Sequence, residues 1–335
     1  TLETFDAGDG NLVMRLSGQA DALALTGGSI QGAINVNFGF QCINPATCVP
    51  GGPDFILNGS AIGRNNAGSS SNLTPVSVTF DGNGIASIPI RYDDVGRVSL
   101  HAQVTLPQDE DGPLVSVPGV SNEFVVKPDS IAVESVPGNT GSGAFVAASE
   151  SFSARIEARN ANGDRTPNFG NESVSEADVT VEMSLDYPAG GNPGTFTPGG
   201  AFTPVVGVPG VYEATGYQWS EVGGIRLEPR LTDADYLGAG DVSSVVSDPI
   251  GLFYPHHFAM TESSVSHSCE FTDQIYLGHR AIAISYTLEA RNAGGGIVTN
   301  FDSDRLSAAE LAMNSIFYAE ESDITFLGSS EVDDD

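Results

Sequence analysis

Apolar and polar residues alternate along short stretches of this chain, with a period of two. Ile85–Tyr92, Val76–Phe80 and Phe152–Ala158 show the pattern most clearly. A period of two places successive side chains on opposite faces of an extended backbone, so each run predicts a half-buried strand. Further runs of this kind are Asn11–Leu16, Ala33–Phe38, Val98–Leu106, Glu123–Val126, Val179–Leu185, Val211–Tyr217, Ile225–Leu231 and Ala283–Ala290. Between them lie turn-forming clusters such as Asp81-Gly82-Asn83-Gly84 and Asn160-Ala161-Asn162-Gly163-Asp164. Only Ser307–Ser315 reads as a helix. Its counterpart in the internal repeat reads as a strand, so a strand is expected there too.

The strands follow one another across turns and not across helices. That order excludes a parallel α/β sheet and predicts antiparallel sandwiches. The fold class expected is all-β, with tandem immunoglobulin-like β-sandwich modules, the last of them incomplete.

Internal repeats set the module length. Glu157-Ala158-Arg159-Asn160-Ala161 returns as Glu289-Ala290-Arg291-Asn292-Ala293, and Asn168-Phe169 returns as Asn300-Phe301, both 132 positions later. Tyr92-Asp93-Asp94-Val95-Gly96 returns as Trp219-Ser220-Glu221-Val222-Gly223, 127 positions later. The strand that enters each module after Pro128 or Pro255 repeats as well. Modules are therefore expected at 1–126, 127–254 and 255–335. The last would hold only its first strands, its core completed by further chain or by an edge strand from another chain.

Composition narrows the function classes. Among 335 residues, 43 are acidic and 13 basic, a formal net charge of −30, and Lys127 is the only lysine. Such a field repels nucleic-acid phosphates and anionic lipid, so neither is expected as a partner. No apolar run approaches the length of a membrane span. Cys42 and Cys48 flank a short loop containing Pro45, and a local disulfide is expected. Cys269 then needs a partner elsewhere. The disulfide predicts an oxidising, extracellular location.

Several strings resemble those of MshQ-like proteins, large secreted proteins encoded with mannose-sensitive haemagglutinin type IV pilus systems. Pro249-Ile250-Gly251-Leu252-Phe253-Tyr254-Pro255-His256-His257-Phe258 resembles their Ile-Gly-Arg-Phe-Tyr-Pro-Asp-His-Phe signature. Cys269-Glu270-Phe271-Thr272 and Glu289-Ala290-Arg291-Asn292-Ala293-Gly294-Gly295 followed by Thr299-Asn300-Phe301 are similar to later elements of that family. The likeness covers about residues 230–305. Leu252, His256 and Phe301 stand where the family pattern has Arg, Asp and Tyr. The resemblance implies a surface or pilus-associated protein of Gram-negative bacteria. It transfers no catalytic residue.

No nucleophile elbow, phosphate loop or dinucleotide fingerprint follows a strand, so no enzyme and no cofactor are expected. His256 and His257, as strand neighbours, are expected to point to opposite faces and to make poor joint metal ligands. A pairing of Cys269 with His267 or His279 is set aside in favour of a disulfide role. Cys42 and Cys48 lack a second ligand pair at zinc spacing, which leaves calcium as the candidate ion. Its candidate ligands are Asp233, Asp235 and Asp241, ahead of Asp109-Glu110-Asp111 and Asp333-Asp334-Asp335. Tyr212, Tyr217 and Trp219 are the candidates for a glycan-stacking platform. The presence of Tyr92 at the Trp219 position of the other repeat points instead to core or rim. The function expected is a non-enzymatic structural or adhesive stalk. Its expected partners are other surface or pilus subunits, copies of itself, or a glycan or surface receptor.

Overall fold

The computed structural model describes residues 4–6, 12–17, 32–66, 71–81, 85–107, 114–141, 143–266 and 283–301. Every described element is a strand. The first unit holds β1 (Thr4–Asp6), β2 (Leu12–Ser17), β3 (Gly32–Asn44), β4 (Phe55–Leu57), β5 (Ser60–Arg64), β6 (Thr74–Phe80), β7 (Ile85–Tyr92), β8 (Gly96–Pro107), β9 (Leu114–Val120) and β10 (Phe124–Lys127). The second holds β11 (Ser130–Ser135), β12 (Phe152–Arg159), β13 (Val179–Tyr187), β14 (Phe196–Thr197), β15 (Thr203–Pro204), β16 (Val211–Trp219), β17 (Gly223–Leu231), β18 (Ser243–Val245) and β19 (Ile250–Phe253). After these come β20 (His257–Ser266) and β21 (Ala283–Arg291).

In the first unit one layer runs β1-β10-β8-β3, with β6 also beside β3 and β9 beside β8. The other layer runs β5-β4-β7-β2, and β5 ties the layers together by pairing parallel with β3 at Gly39 and Gly63. In the second unit, β14-β16-β12-β11-β18 faces β13-β17-β19. Parallel pairing of β1 with β10 and of β11 with β18 joins early and late strands of each unit. β20 and β21 form an antiparallel pair. No ladder between named strands links the three groups.

The period-two runs become strands because one face of each is apolar. In β7, Ala86, Ile88, Ile90 and Tyr92 are buried and the residues between them exposed. In β6 the same holds for Val76, Val78 and Phe80. Burying each such large side chain contributes roughly 1.5–3 kcal/mol. The expected strand runs all fall on strands. The short β4, β5 and β18 were not read from sequence, because two or three apolar residues among glycine and serine give no measurable period. Ser307–Ser315, Cys269, His267 and His279 lie outside the described residues, as do the acidic groups at 109–111 and 333–335.

The second core centres on Trp219, which meets Phe253 edge-on at 5.1 Å and donates Nε1–H to the Pro193 carbonyl at 2.7 Å. Tyr217 and Tyr212 are buried as well. None of the three presents a ring face to solvent, so the glycan platform considered from sequence is not formed. In β20 and β21 the positions matching Ile131 and Ile156 are Phe258 and Leu288. The isoleucines are fully buried, whereas Phe258 and Leu288 are 40% and 47% exposed.

Candidate functional site

The two families of repeat meet in space. The string Tyr92-Asp93-Asp94-Val95-Gly96 forms the turn between β7 and β8, at the end of the first unit. Its copy, Trp219-Ser220-Glu221-Val222-Gly223, forms the turn between β16 and β17. Each turn is a socket. Into it fits the Asn-Phe loop that follows the Glu-Ala-Arg-Asn strand end of the next unit.

At the first junction Asn168 is fully buried. Its Nδ2 donates to the Tyr92 hydroxyl at 3.2 Å and to the Val95 carbonyl at 3.1 Å. Its Oδ1 accepts from Val49 N–H at 2.8 Å, and its own N–H donates to Asp94 Oδ1 at 2.9 Å. A second asparagine reinforces the joint. Asn160 closes its own loop by accepting from the N–H groups of Asn162 and Asp164, and its Nδ2 reaches across to the Asp93 carbonyl at 3.1 Å. Around this core, Ser173 N–H donates to Asn44 Oδ1, Arg97 to the Leu237 carbonyl and Lys127 to the Asp241 carbonyl.

The second junction repeats the device. Asn300 Nδ2 donates to the carbonyls of Asn192 at 2.8 Å and Val222 at 3.3 Å, and its Oδ1 accepts from Asn192 N–H at 2.7 Å. Its N–H donates to Glu221 Oε2 at 3.1 Å. Asn292 Nδ2 reaches the Ser220 carbonyl at 3.1 Å while its Oδ1 accepts from Gly296 N–H. Asparagine suits this place because one short amide supplies donors and an acceptor together, so it satisfies backbone groups of both units.

Apolar contact completes each joint. Val95, Ala158 and Phe169 belong to a buried cluster that runs without a break from the first unit into Tyr212, Tyr236 and Val242 of the second. Ala148, Val222, Ala290 and Val298, with Phe301 against them, form the smaller counterpart at the second joint. Gly96 and Gly223 close both turns. Their φ values are 127° and 119°, and a Cβ on either would strike the carbonyl oxygen of Asn44 or Tyr187.

The two acids differ in their surroundings. Glu221 accepts from Thr299 N–H, Thr299 Oγ1–H, Asn300 N–H and Asn192 Nδ2–H, so both its oxygens are occupied. The residue at the Thr299 position of the first loop is Pro167, which has neither donor. Asp94 Oδ1 accepts from Asn168 and Val95 N–H, while Oδ2 is buried without a hydrogen-bond partner. Burial pushes the Asp94 carboxyl up to about 7. Beside it, burial also raises Glu172 to about 7, although Tyr236 donates a 2.7 Å hydrogen bond to it. Glu176 is raised to about 7 by burial and by the charge of Glu172.

Cys42 and Cys48 are joined in a disulfide with Cα atoms 5.7 Å apart. The bridge bears on the joint. Cys48 Sγ lies 3.4 Å from the Tyr92 hydroxyl, and Val49, the next residue, donates to Asn168. Asp233, Asp235 and Asp241 lie on the loop from β17 to β18. Their carboxylates accept from the backbone of that same loop: Asp233 from Asp235 N–H, Asp235 from Gly238 and Gly240, and Asp241 from Val242. Among the described residues no three acidic, histidine or cysteine side chains converge as metal ligands. His256 and His257 do not diverge as expected. Their Nδ1 atoms are 3.0 Å apart, because β20 begins at His257 and His256 lies outside the strand.

Comparison with known family models places three domains along the chain. The model described as the domain of unknown function DUF6701, first Ig-like domain, matches residues 27–117. Those described as its second and third domains match 122–214 and 221–334. No curated relative matches the chain. Among solved structures, the D0-D1 domain of intimin is similar at 15% identity, covering 75% of this chain and 95% of that one, with a TM-score of 0.21. The Escherichia coli adhesin FdeC is similar at 14% identity, covering 81% and 72%, with a TM-score of 0.26.

Proposed function

We propose that this chain, which belongs to the DUF6701 family and carries its first, second and third domains in tandem, is a stiff structural or adhesive stalk of the bacterial cell surface. The observation that carries this reading is the repeated latch. Two successive joints use the same buried asparagine, the same acidic turn and the same glycine. A flexible string of domains needs no such device, since linkers between independent domains make few contacts. A buried asparagine bonded on both sides fixes the angle between units as well as their spacing.

The disulfide in the first unit supports an oxidising location. The net charge of −30 supports solubility of an extended, exposed body. The likeness of residues 249–258 to MshQ-like proteins supports a surface or pilus setting, with other surface or pilus subunits as partners. Small-angle scattering tests the reading. The wild-type chain should give a single extended shape with a narrow spread of inter-unit angles. The double variant Asn168→Ala, Asn300→Ala should broaden that spread while the units stay folded. A broad spread already in the wild type would overturn it.

A further inference from the structure

We propose that the first junction is a proton-sensitive joint, taking up a proton on Asp94 as it closes, so that mild acid tightens it. The geometry supplies the trigger. Asp94 is fully buried, and Pro167 offers no donor to its second oxygen. An ionised oxygen held away from water without a partner is costly, whereas a protonated one carries no charge to solvate.

Among the described residues Arg64 is the basic group whose charge favours ionised Asp94, and burial outweighs it; Arg64 Nη1 donates to the carbonyl of Val49 at 3.1 Å and lies 3.5 Å from that of Cys48. The other titratable neighbours of Asp94 are the Tyr92 and Tyr236 hydroxyls, whose own ionisation burial pushes up. Glu172 faces Tyr236, Tyr212 and Glu176, and Glu176 faces Asp233 and Asp235, all of them neutral or acidic. Ser173 N–H, next to Glu172, donates across the joint to Asn44, and Phe169 stacks on Tyr236 at 6.4 Å. At the second junction four hydrogen bonds from Thr299 and Asn300 already hold both oxygens of Glu221.

The direction follows from linkage. Asp94 is raised to about 7 in the closed joint, against roughly 4 for a free aspartate. The closed state binds more protons than the open one between those values. The stabilisation is full below about pH 4 and is lost as pH rises through about 7.

Amide hydrogen exchange on the full chain tests this, with rates corrected for the intrinsic pH dependence. The readout is protection of Asn168 and Val49 N–H from pH 8 to pH 5, with Thr299 and Asn300 N–H as the internal reference. Protection at the first joint should rise relative to the reference as pH falls, approaching about tenfold per unit for each proton taken up. Asp94→Asn should flatten the slope. Pro167→Thr, which restores two donors, should raise protection at pH 8 and reduce the slope. Equal slopes at both joints would trace the effect to relief of overall negative charge and overturn the proposal. So would an unchanged slope in Asp94→Asn, or in Pro167→Thr should Asp94→Asn fail to fold.

Discussion

At the first junction the acid that receives the Asn-Phe loop is Asp94; at the second it is Glu221. The first joint shares a continuous apolar cluster with both of its units. The second has a patch of four small and β-branched residues with Phe301 against it. Polar satisfaction runs the other way. Both oxygens of Glu221 are bonded, while Asp94 keeps one buried and unpaired. One device thus sits in two environments, and a single residue of the loop, Pro167 against Thr299, decides whether the acid is satisfied. The comparison teaches that the repeat fixes where units dock, and that its variable position sets how the dock responds to conditions.

The largest expected effect comes from the asparagines. Asn168→Ala leaves the buried Val95 carbonyl and the half-buried Val49 N–H without their partner, and Asn300→Ala does the same to the buried Val222 carbonyl and to the N–H and carbonyl of Asn192. At about 1–3 kcal/mol for each buried group left unpaired, each variant should weaken its own joint by about 3 kcal/mol. Denaturant-dependent hydrogen exchange should show the loss at one joint and not at the other. Equal loosening of both joints by either variant would mean that they act as one cooperative unit.

Next is the exchange of roles. Thr299→Pro removes both of the donors that this residue gives to Glu221 and copies the first joint onto the second. Bonds to a charged acceptor contribute about 1.5–3 kcal/mol, but Thr299 is exposed and Asn300 and Asn192 still donate to Glu221, so the second joint should lose about 2 kcal/mol near neutral pH. Denaturant-dependent hydrogen exchange at Asn300 N–H checks this. An unchanged joint would show that the donors of Thr299 do not hold Glu221, and that Pro167 does not explain the unpaired oxygen of Asp94.

Much of this was legible in the chain. Alternation in β7 and β12 gave the layers, and the spacings of 127 and 132 gave the repeat of the joints. The pairing of the two repeated strings was not legible. Repetition reports likeness between copies, whereas docking joins unlike strings: Asn168 lies 74 residues from Asp94 and Asn300 lies 79 from Glu221. One signal was available. Both strings keep their polar residues where the strands around them vary, and a polar residue held in a turn between sheets needs a partner. The histidine pair failed for a local reason, since the strand rule applies only inside a strand and β20 starts one residue late. The carboxylates of Asp233, Asp235 and Asp241 accept from the backbone of their own loop, as turn-forming acids commonly do, and spacing along the sequence does not show such bonds.

The smallest effect isolates the disulfide side of the first joint. Tyr92 and Trp219 occupy matching positions, yet only the tyrosine hydroxyl touches the docked asparagine; the indole N–H turns to Pro193 within its own unit. Tyr92→Phe keeps the buried ring, its stack on Phe55 at 5.3 Å and its packing on Phe40. It removes the acceptor for Asn168 Nδ2, which still reaches the Val95 carbonyl, and the neighbour of Cys48 Sγ. A net loss of about 1 kcal/mol is expected at the first joint, the usual worth of one neutral hydrogen bond. Reducing the disulfide should then be compared in wild type and Tyr92→Phe. Reduction frees the loop that carries Val49, so it should lower Asn168 protection in both backgrounds, and by less in the variant if Cys48 acts through the hydroxyl. An equal drop in both would place the whole effect of the bridge on Val49, and the tyrosine would then serve the asparagine alone.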